Sequence, residues 1–390
     1  MEVKIKMKLI QLQGGKGIAV GEGALEHLKD VRCKKCVLVT GGSSMEKTGV
    51  LDKIRQYMKK DGSGVYIHSG IAPNPTKEQV DAGVEVMRRE LPDLIIAVGG
   101  GSAIDAAKLM ALFYEFPEIS FENVGTATLP TKREKVGFIA VPSTSGTGSE
   151  VTAAAIYTDA QKKIKIPVRT PAIRPDLAIL DPALPITMPK NLAAETGMDA
   201  LTHAFEAYVN HNMDDFTEVI CRGSIQSLIQ WLPESCETAS VEARGKVHYY
   251  QCMAGMSLAN AGLGMVHGIA HSFGGMYDLA HGLVNGIILP YAMQYNSRDS
   301  KVKEKFERLS AYAGGKDIIQ QIVELKERLN IPKSLQHVVS EADYKRDFNP
   351  LVEYSLKTTT AFNPIKMEFD EMEKVVNAVY YGTAIDLELE

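Results

Sequence analysis

The sequence predicts an α/β domain on a parallel sheet followed by an all-helical domain, and three observations carry that expectation. Through the first half of the 390-residue chain, short apolar runs alternate with amphipathic ones, the grammar of a parallel sheet covered by helices on both faces. Three of the apolar runs lead into loops rich in glycine and hydroxyl side chains, at the strand ends where such sheets bind ligands. Beyond "PDLAILDPAL" (175–184) strand-like alternation nearly vanishes, long helical patterns take over, and Pro182, Pro185 and Pro189 cluster at the switch. The boundary is therefore placed near residue 186, giving domains 1–186 and 187–390.

Taken in order, "MEVKIKMKLIQLQ" (1–13) alternates like a strand and lacks the apolar core of a secretory signal. "KCVLVTGG" (35–42) reads as a buried strand, "VLDKIRQYMKKD" (50–61) as an amphipathic helix and "GVYIHSG" (64–70) as the next strand. "TKEQVDAGVEVMRREL" (76–91) is a helix opened by a capping box, Thr76 with Gln79 three residues on. "DLIIAVGGG" (93–101) is a strand running into the helix "SAIDAAKLMALFY", and "VGFIAVPST" (136–144) is another strand. From "MPKNLAAETGMDALTHAFEAYVN" onward the pattern is helical.

Composition narrows the function. A 45% hydrophobic, 23% charged chain of this length is ordinary globular protein with room for about two domains. A net charge of −5 without blocks leaves no basic footprint for nucleic acid. Apolar runs such as "LIIAV" (94–98) fall far short of the ~20 residues that span a membrane. The expectation is a cytoplasmic protein with a small-molecule partner. Cys33 and Cys36 make one C-x-x-C without the second pair of a zinc ribbon, so the five cysteines read as reduced thiols.

The loops point to a nucleotide. In "GGGSAIDAAK" three glycines admit a phosphate to the backbone, and the helix behind them presents free N–H groups. Ser102 sits where an N-cap belongs, with Asp105 three residues later; neither a Walker lysine-serine pair nor G-x-G-x-x-G is present. "VTGGSSMEKTG" (39–49) and "VPSTSGTGSEVT" (141–152) follow two other strands of the same expected sheet. The second places five hydroxyl side chains between Pro142 and Ser149, donors for a ribose, a phosphate or an amide. A carboxylate in the first loop would bind a ribose 2′-OH and repel a 2′-phosphate. Gly41, Gly42, Ser43 and Ser44 offer room and donors instead, with Lys47 nearby, so NADP is favoured over NAD.

The second half carries the metal chemistry. Asp199 and His203 are four apart on a helix and share a face. In "GMVHGIAHSFGGMYDLAHG" (264–282) His267 and His271 have the same spacing, and a break at Gly274–Gly275 would bring His281 back toward His267. One carboxylate with two or three imidazoles suits a divalent first-row metal, Fe2+ or Zn2+. Spacing alone does not say which histidine is left out. His27, His68, His211, His248 and His337 have no partner pattern and read as surface or core residues.

"AVGGGSAIDAAK", "PSTSGTGSEVT", "MDALTHAFEAY" and "GMVHGIAHSFGGMYDLAHG" together resemble the signature blocks of the iron-containing (group III) alcohol dehydrogenases, including lactaldehyde, 1,3-propanediol and butanol dehydrogenases. The likeness runs from about Gly14 to about Pro364, through "PNPT" (73–76), "PDLAILDP" (175–182) and "FNP" (362–364). It implies a Rossmann-like dinucleotide-binding domain, a helical catalytic domain, a cleft between them and a homodimer. It assigns Asp199, His203, His267 and His281 to the metal and puts His271 near the nicotinamide, as a candidate proton relay or a residue orienting the ribose. It places Gly100, Gly101 and Ser102 on the pyrophosphate with Asp105 close by, and Asn74, Thr144, Thr147 and Lys165 around the cofactor. The reaction implied is hydride transfer between nicotinamide C4 and a short primary alcohol or aldehyde, with the metal as Lewis acid. Leu258, Gly262, Phe273 and Phe362 are the expected lining of a small apolar substrate pocket. The alternatives are a glycerol dehydrogenase-like polyol oxidoreductase and a metal-dependent hydrolase, the latter leaving the glycine loops without a role.

Overall fold

In a computed structural model the described residues are 17–59, 62–159, 164–357 and 359–385, so the expected strand at 1–13 lies outside them. The α/β region runs β1 (Gly17–Val20), β2 (Lys35–Thr40), α1 (Ser44–Lys47), α2 (Val50–Lys59), β3 (Gly64–His68), α3 (Lys77–Glu90), β4 (Leu94–Gly99), α4 (Gly101–Glu115), β5 (Gly137–Pro142), β6 (Ala154–Asp159), β7 (Ile164–Arg169) and β8 (Leu177–Leu180). Six strands form one parallel sheet in the order β1-β8-β5-β4-β2-β3. Its register sets Leu38 beside Ile96 and Ile96 beside Ile139. Because side chains alternate across a strand, the continuous apolar runs divide between two cores. Val37, Val39, Ile95, Ala97 and Phe138 pack under α3 and α4, while Leu38, Ile96, Val98 and Ile139 pack under α2.

Two local devices on the sheet bear on the site. Thr76 and Gln79 do form the expected capping box on α3. The N-cap of α4 is Gly100, not Ser102: the helix starts two residues earlier than a Ser102 cap would set, and the Ser102 hydroxyl accepts from the Asn74 backbone N–H at 3.3 Å. The antiparallel hairpin of β6 and β7, which was not anticipated, lies over α4. It explains why α4 carries so little polar surface. Lys108, with no exposed surface, spends its ammonium on Ser149 Oγ (2.9 Å), Thr152 Oγ1 (3.1 Å) and the carbonyl of Ala154 (2.7 Å).

The helical region comprises α5 (Lys190–Val209), α6 (Asp215–Glu237), α7 (Val241–Ala261), α8 (Met265–Tyr277), α9 (His281–Asn296), α10 (Ser300–Tyr312), α11 (Ile318–Arg328), α12 (Glu341–Lys357) and α13 (Phe369–Tyr381). Helices α5, α6 and α7 pack on one another, α9 packs on α5, and α8 packs on α9 with α12 and α13 behind. One apolar cluster from Met188 to Tyr380 fills this region. α5 is buried almost all round from Ala193 onward, Asp199, Thr202, His203 and Glu206 included, as befits a helix enclosed by others. Phe273 belongs to this core with no exposed surface and does not line the cavity between the two regions, so its expected pocket role is withdrawn. No helix of the described residues is long and apolar enough to cross a membrane.

Candidate metal and cofactor site

The cavity where the two regions meet has a volume of about 620 Å³. From the α/β side Asn74, Gly101, Ser102, Asp105, Thr147 and Lys165 reach it, and from the helical side Asp199, His203, His267, His271 and His281. Leu258, Gly262 and Phe362 also line it, the apolar wall expected of them. His271 and Lys165 face in addition a second cavity of about 750 Å³ between β7, α8 and α12.

Asp199 and His203 lie one above the other on α5, almost fully buried. His267 is in the first turn of α8, and His281 opens α9. The chain break that returns His281 is not at Gly274–Gly275, which are helical, but at Asp278, the left-handed residue (φ 51°) that ends α8. Gly282 lets α9 start hard against α5, since a Cβ there would stand 2.3 Å from the carbonyl oxygen of Glu195. In consequence three imidazoles turn Nε2 toward one carboxylate oxygen. Asp199 Oδ1 is 3.7 Å from His203, 3.8 Å from His267 and 3.7 Å from His281.

Those separations are too long for hydrogen bonds. Two ligand atoms each ~2.0–2.2 Å from one ion lie no more than ~4.4 Å apart, so the four atoms suit a shared divalent cation. The ligand atoms of Asp199, His203 and His267 all lie within 4.8 Å of one another, and His281 joins them through Asp199. Burial, followed by neighbouring imidazoles, pushes His267 down to about 3 and His271 and His281 well below the ordinary histidine range. These rings are therefore neutral at pH 7, the protonation state in which imidazole binds metal. His271 stacks on His281 with ring centroids 5.2 Å apart, and its buried Nε2 has no hydrogen-bond partner.

Two polar residues at the cluster were not singled out from the sequence. Glu206 Oε2 lies 2.6 Å from His267 Nδ1, and Asn285 Nδ2 donates to Asp199 Oδ1 at 2.7 Å. Glu206 is three residues after His203, and Asn285 four after His281, so the helical spacing that exposed the ligands also held these residues. Burial raises Glu206 to about 7, against the pull of backbone N–H groups from Gly264, Val266 and His267.

The α/β side is less uniform than its motifs implied. Gly101 opens α4 against Thr147; a Cβ there would meet Thr147 Cγ2 at 2.6 Å. Thr144 packs on Gly100 and does not line the cavity. Gly41, Gly42, Ser43 and Ser44 also lie outside its wall, at the exposed end of β2, where Gly41 stands beside Gly99 of the neighbouring strand. Asp105 does reach the cavity, but its carboxylate already accepts from Ser149 Oγ and from the backbone N–H of Ile156 (2.9 Å). The hydroxyl-rich loop 142–149 faces the cavity only in part: Thr147 and Ser149 reach it, whereas Ser145 bonds His248 Nδ1 at 2.9 Å inside the protein. Gly148 meets Gly255 of α7 closely enough that a Cβ would lie 2.5 Å from its Cα. Gly146, against Thr196 of α5, and Gly148, against Gly255 of α7, thus serve helix packing. His248 is a core histidine, as read, and the exposed His27, His211 and His337 are surface ones.

The sequence model of the iron-containing alcohol dehydrogenases matches residues 16–182, and that of the Fe-containing alcohol dehydrogenase family, C-terminal, matches residues 193–380. This chain belongs to the iron-containing alcohol dehydrogenase family. An NADPH-dependent butanol dehydrogenase of Clostridium saccharobutylicum is 41% identical over 379 residues, 95% of this chain and 97% of that one. An alcohol dehydrogenase of Thermococcus barophilus is 34% identical over 374 residues, covering 93% and 97%. The structure of an iron-containing alcohol dehydrogenase from Thermococcus thioreducens superposes with a TM-score of 0.89 at 33% identity, covering 95% of this chain and 99% of that one. The protein is accordingly an iron-type alcohol dehydrogenase, a metal-dependent alcohol and aldehyde oxidoreductase. The hydrolase reading falls with this result.

Proposed function

We propose that this dehydrogenase works on short primary alcohols and aldehydes with NADP(H) in preference to NAD(H), using Fe2+ held by Asp199, His203, His267 and His281. The observation that carries the reading is that these four residues line the same cavity as the Gly101–Ser102 turn and Lys165. A small, largely apolar wall from Leu258 to Phe362 supports a short aliphatic substrate, and the 41% identical butanol dehydrogenase supports NADPH.

When bound there, a divalent metal supplies a Lewis acid for the substrate oxygen. The nicotinamide supplies or accepts the hydride. The chain's own contribution is placement. Asp199 brings a carboxylate into an otherwise neutral donor set, and Gly100, Gly101 and Ser102 offer the N-terminus of α4 to the pyrophosphate. Asn74, Thr147 and Lys165 position the rest of the cofactor, with Thr144 and Asp105 bracing the turn from behind. Gly41, Gly42, Ser43 and Ser44 receive the adenosine end, outside the cavity. His271 is assigned the proton, taken or given at its unpartnered Nε2. On this reading the domains divide near residue 186, and the enzyme is a cytoplasmic homodimer.

The test is absorbance at 340 nm with a panel of short aldehydes, on protein reconstituted anaerobically with Fe2+ or with Zn2+. Oxidation of NADPH that needs both metal and aldehyde, with NADH much slower and Fe2+ the better metal, is the expected result. Faster turnover with NADH would overturn the reading of Gly41–Ser44, and activity restored equally by either metal would remove the choice of iron.

A further inference from the structure

Glu206 is the buried carboxylate at the cluster that the proposed reaction does not use. It projects from α5 on the face that carries Asp199 and His203, seven and three residues earlier. Its side chain collects three groups of the α8 N-terminus. Oε1 accepts the backbone N–H of Val266 at 2.6 Å and that of His267 at 3.4 Å, and Oε2 faces His267 Nδ1 at 2.6 Å. Gly264 leaves room for it, since a Cβ there would lie 3.0 Å from Oε1.

The consequence for His267 follows from the two nitrogens of an imidazole. A carboxylate facing Nδ1 across 2.6 Å requires a proton between them. Asn285 Nδ2, which can only donate, lies 3.2 Å from Nε2, so Nε2 is the accepting nitrogen and the neutral ring carries its proton on Nδ1, facing the carboxylate. That Nε2 is the atom pointing toward Asp199 Oδ1. The other imidazoles are not held this way: Nδ1 of His203 and Nδ1 of His281 are buried without a hydrogen-bond partner.

We propose that Glu206 is a positioning residue of the metal centre, which locks His267 in the Nδ1–H tautomer and makes it the fixed member of the ligand set. Because one carboxylate ties both the α8 backbone and the ring, the ligand's direction is set before any metal arrives. His203 and His281 adjust to the ion, and His267 does not.

The inference rests on the ligand assignment proposed above, and zinc binding separates the two. Zn2+ affinity is measured by competition with a chromophoric chelator for the whole protein and for H203A, E206L and E206Q. Uptake by the wild type and its loss in H203A are expected; a wild type that takes up no zinc, or an H203A that binds it as tightly, overturns the ligand assignment itself. With that in place, E206L is expected to bind zinc 10–100-fold more weakly. E206Q has a single acceptor oxygen; with that oxygen on the α8 N–H groups its NH2 would donate to Nδ1 and favour the other tautomer, so it should recover none of the loss. Affinities equal to wild type in both variants would overturn the role of Glu206, as would an E206L variant that only melts at a lower temperature.

Should E206L fail to fold, the zinc-loaded wild type answers through 15N-histidine NMR. A protonated Nδ1 on His267 with zinc on Nε2 is the expected spectrum, and the reverse overturns the proposal.

Discussion

The two sides of the cavity present different kinds of group to it. On the helical side the chemistry belongs to side chains: Asp199, His203, His267 and His281 come from three helices and meet within a few ångströms of one another. On the α/β side it belongs largely to the backbone, at strand ends where Gly100 and Gly101 expose the start of α4. A side-chain cluster depends on the directions of long buried helices, and is intolerant of losing any member. A backbone cradle depends on close approach, and is damaged by adding atoms.

That contrast can be tested by substitution, and the largest effect falls on the helical side. H267A should lose bound metal and cost ~1,000-fold in kcat/KM, since metal polarisation supplies several kcal/mol at the transition state. Metal analysis of the purified variant beside its kinetics is the check, and normal turnover without metal would break the comparison. On the α/β side, G101V forces Thr147 out of place, an overpacking of ~1–3 kcal/mol. It should raise the KM for cofactor roughly tenfold or more while metal content stays at wild type. Metal lost from this variant would show that the two sides are not separable.

A smaller effect is expected at the loop proposed to receive the adenosine end. A Cβ at Gly42 meets nothing within 4 Å, so G42D introduces a carboxylate without crowding. It should shift the NADPH to NADH preference by about tenfold toward NADH, read as a ratio of kcat/KM values. The smallest effect concerns the contact that spans the two sides. Asn74 Nδ2 donates to Asp278 Oδ1 at 3.0 Å across an exposed gap, and Asn74 itself sits at φ 57°. N74A gives up a hydrogen bond worth about 1 kcal/mol and a side chain suited to that backbone. A melting point lower by a few degrees with unchanged metal content is expected.

Legibility in the sequence followed the same division. The strands of the parallel sheet were visible because burial on both faces makes them continuous apolar runs, from "KCVLV" to "DLIIAV". Asp199 with His203, and His267 with His271, were visible because helical spacing is local. The hairpin of β6 and β7 escaped because the buried face of β6 (Ala155, Tyr157 and Asp159) is no more apolar than its other face (Ala154, Ile156 and Thr158), and because its partner surface is α4, which is remote in sequence. Glu206 and Asn285 escaped for a related reason: each is a polar residue on a helix whose meaning lies entirely in what the opposite helix brings to it. The glycines of 142–149 were legible as a place of close approach, but not as an approach to Gly255 on α7.

By itself the sequence determined the periodicities, and hence the parallel sheet, the change to helices near residue 186, the glycine turn at the end of β4 and a short set of histidines able to bind metal. Only the tertiary structure decided which nitrogen of His267 faces Asp199, that the turn before His281 is made at Asp278, and that Phe273 is core while Phe362 faces the cavity. Pattern in a chain reports neighbours three or four residues away, whereas the direction of a ligand atom is set by the packing of helices that the chain brings together from far apart.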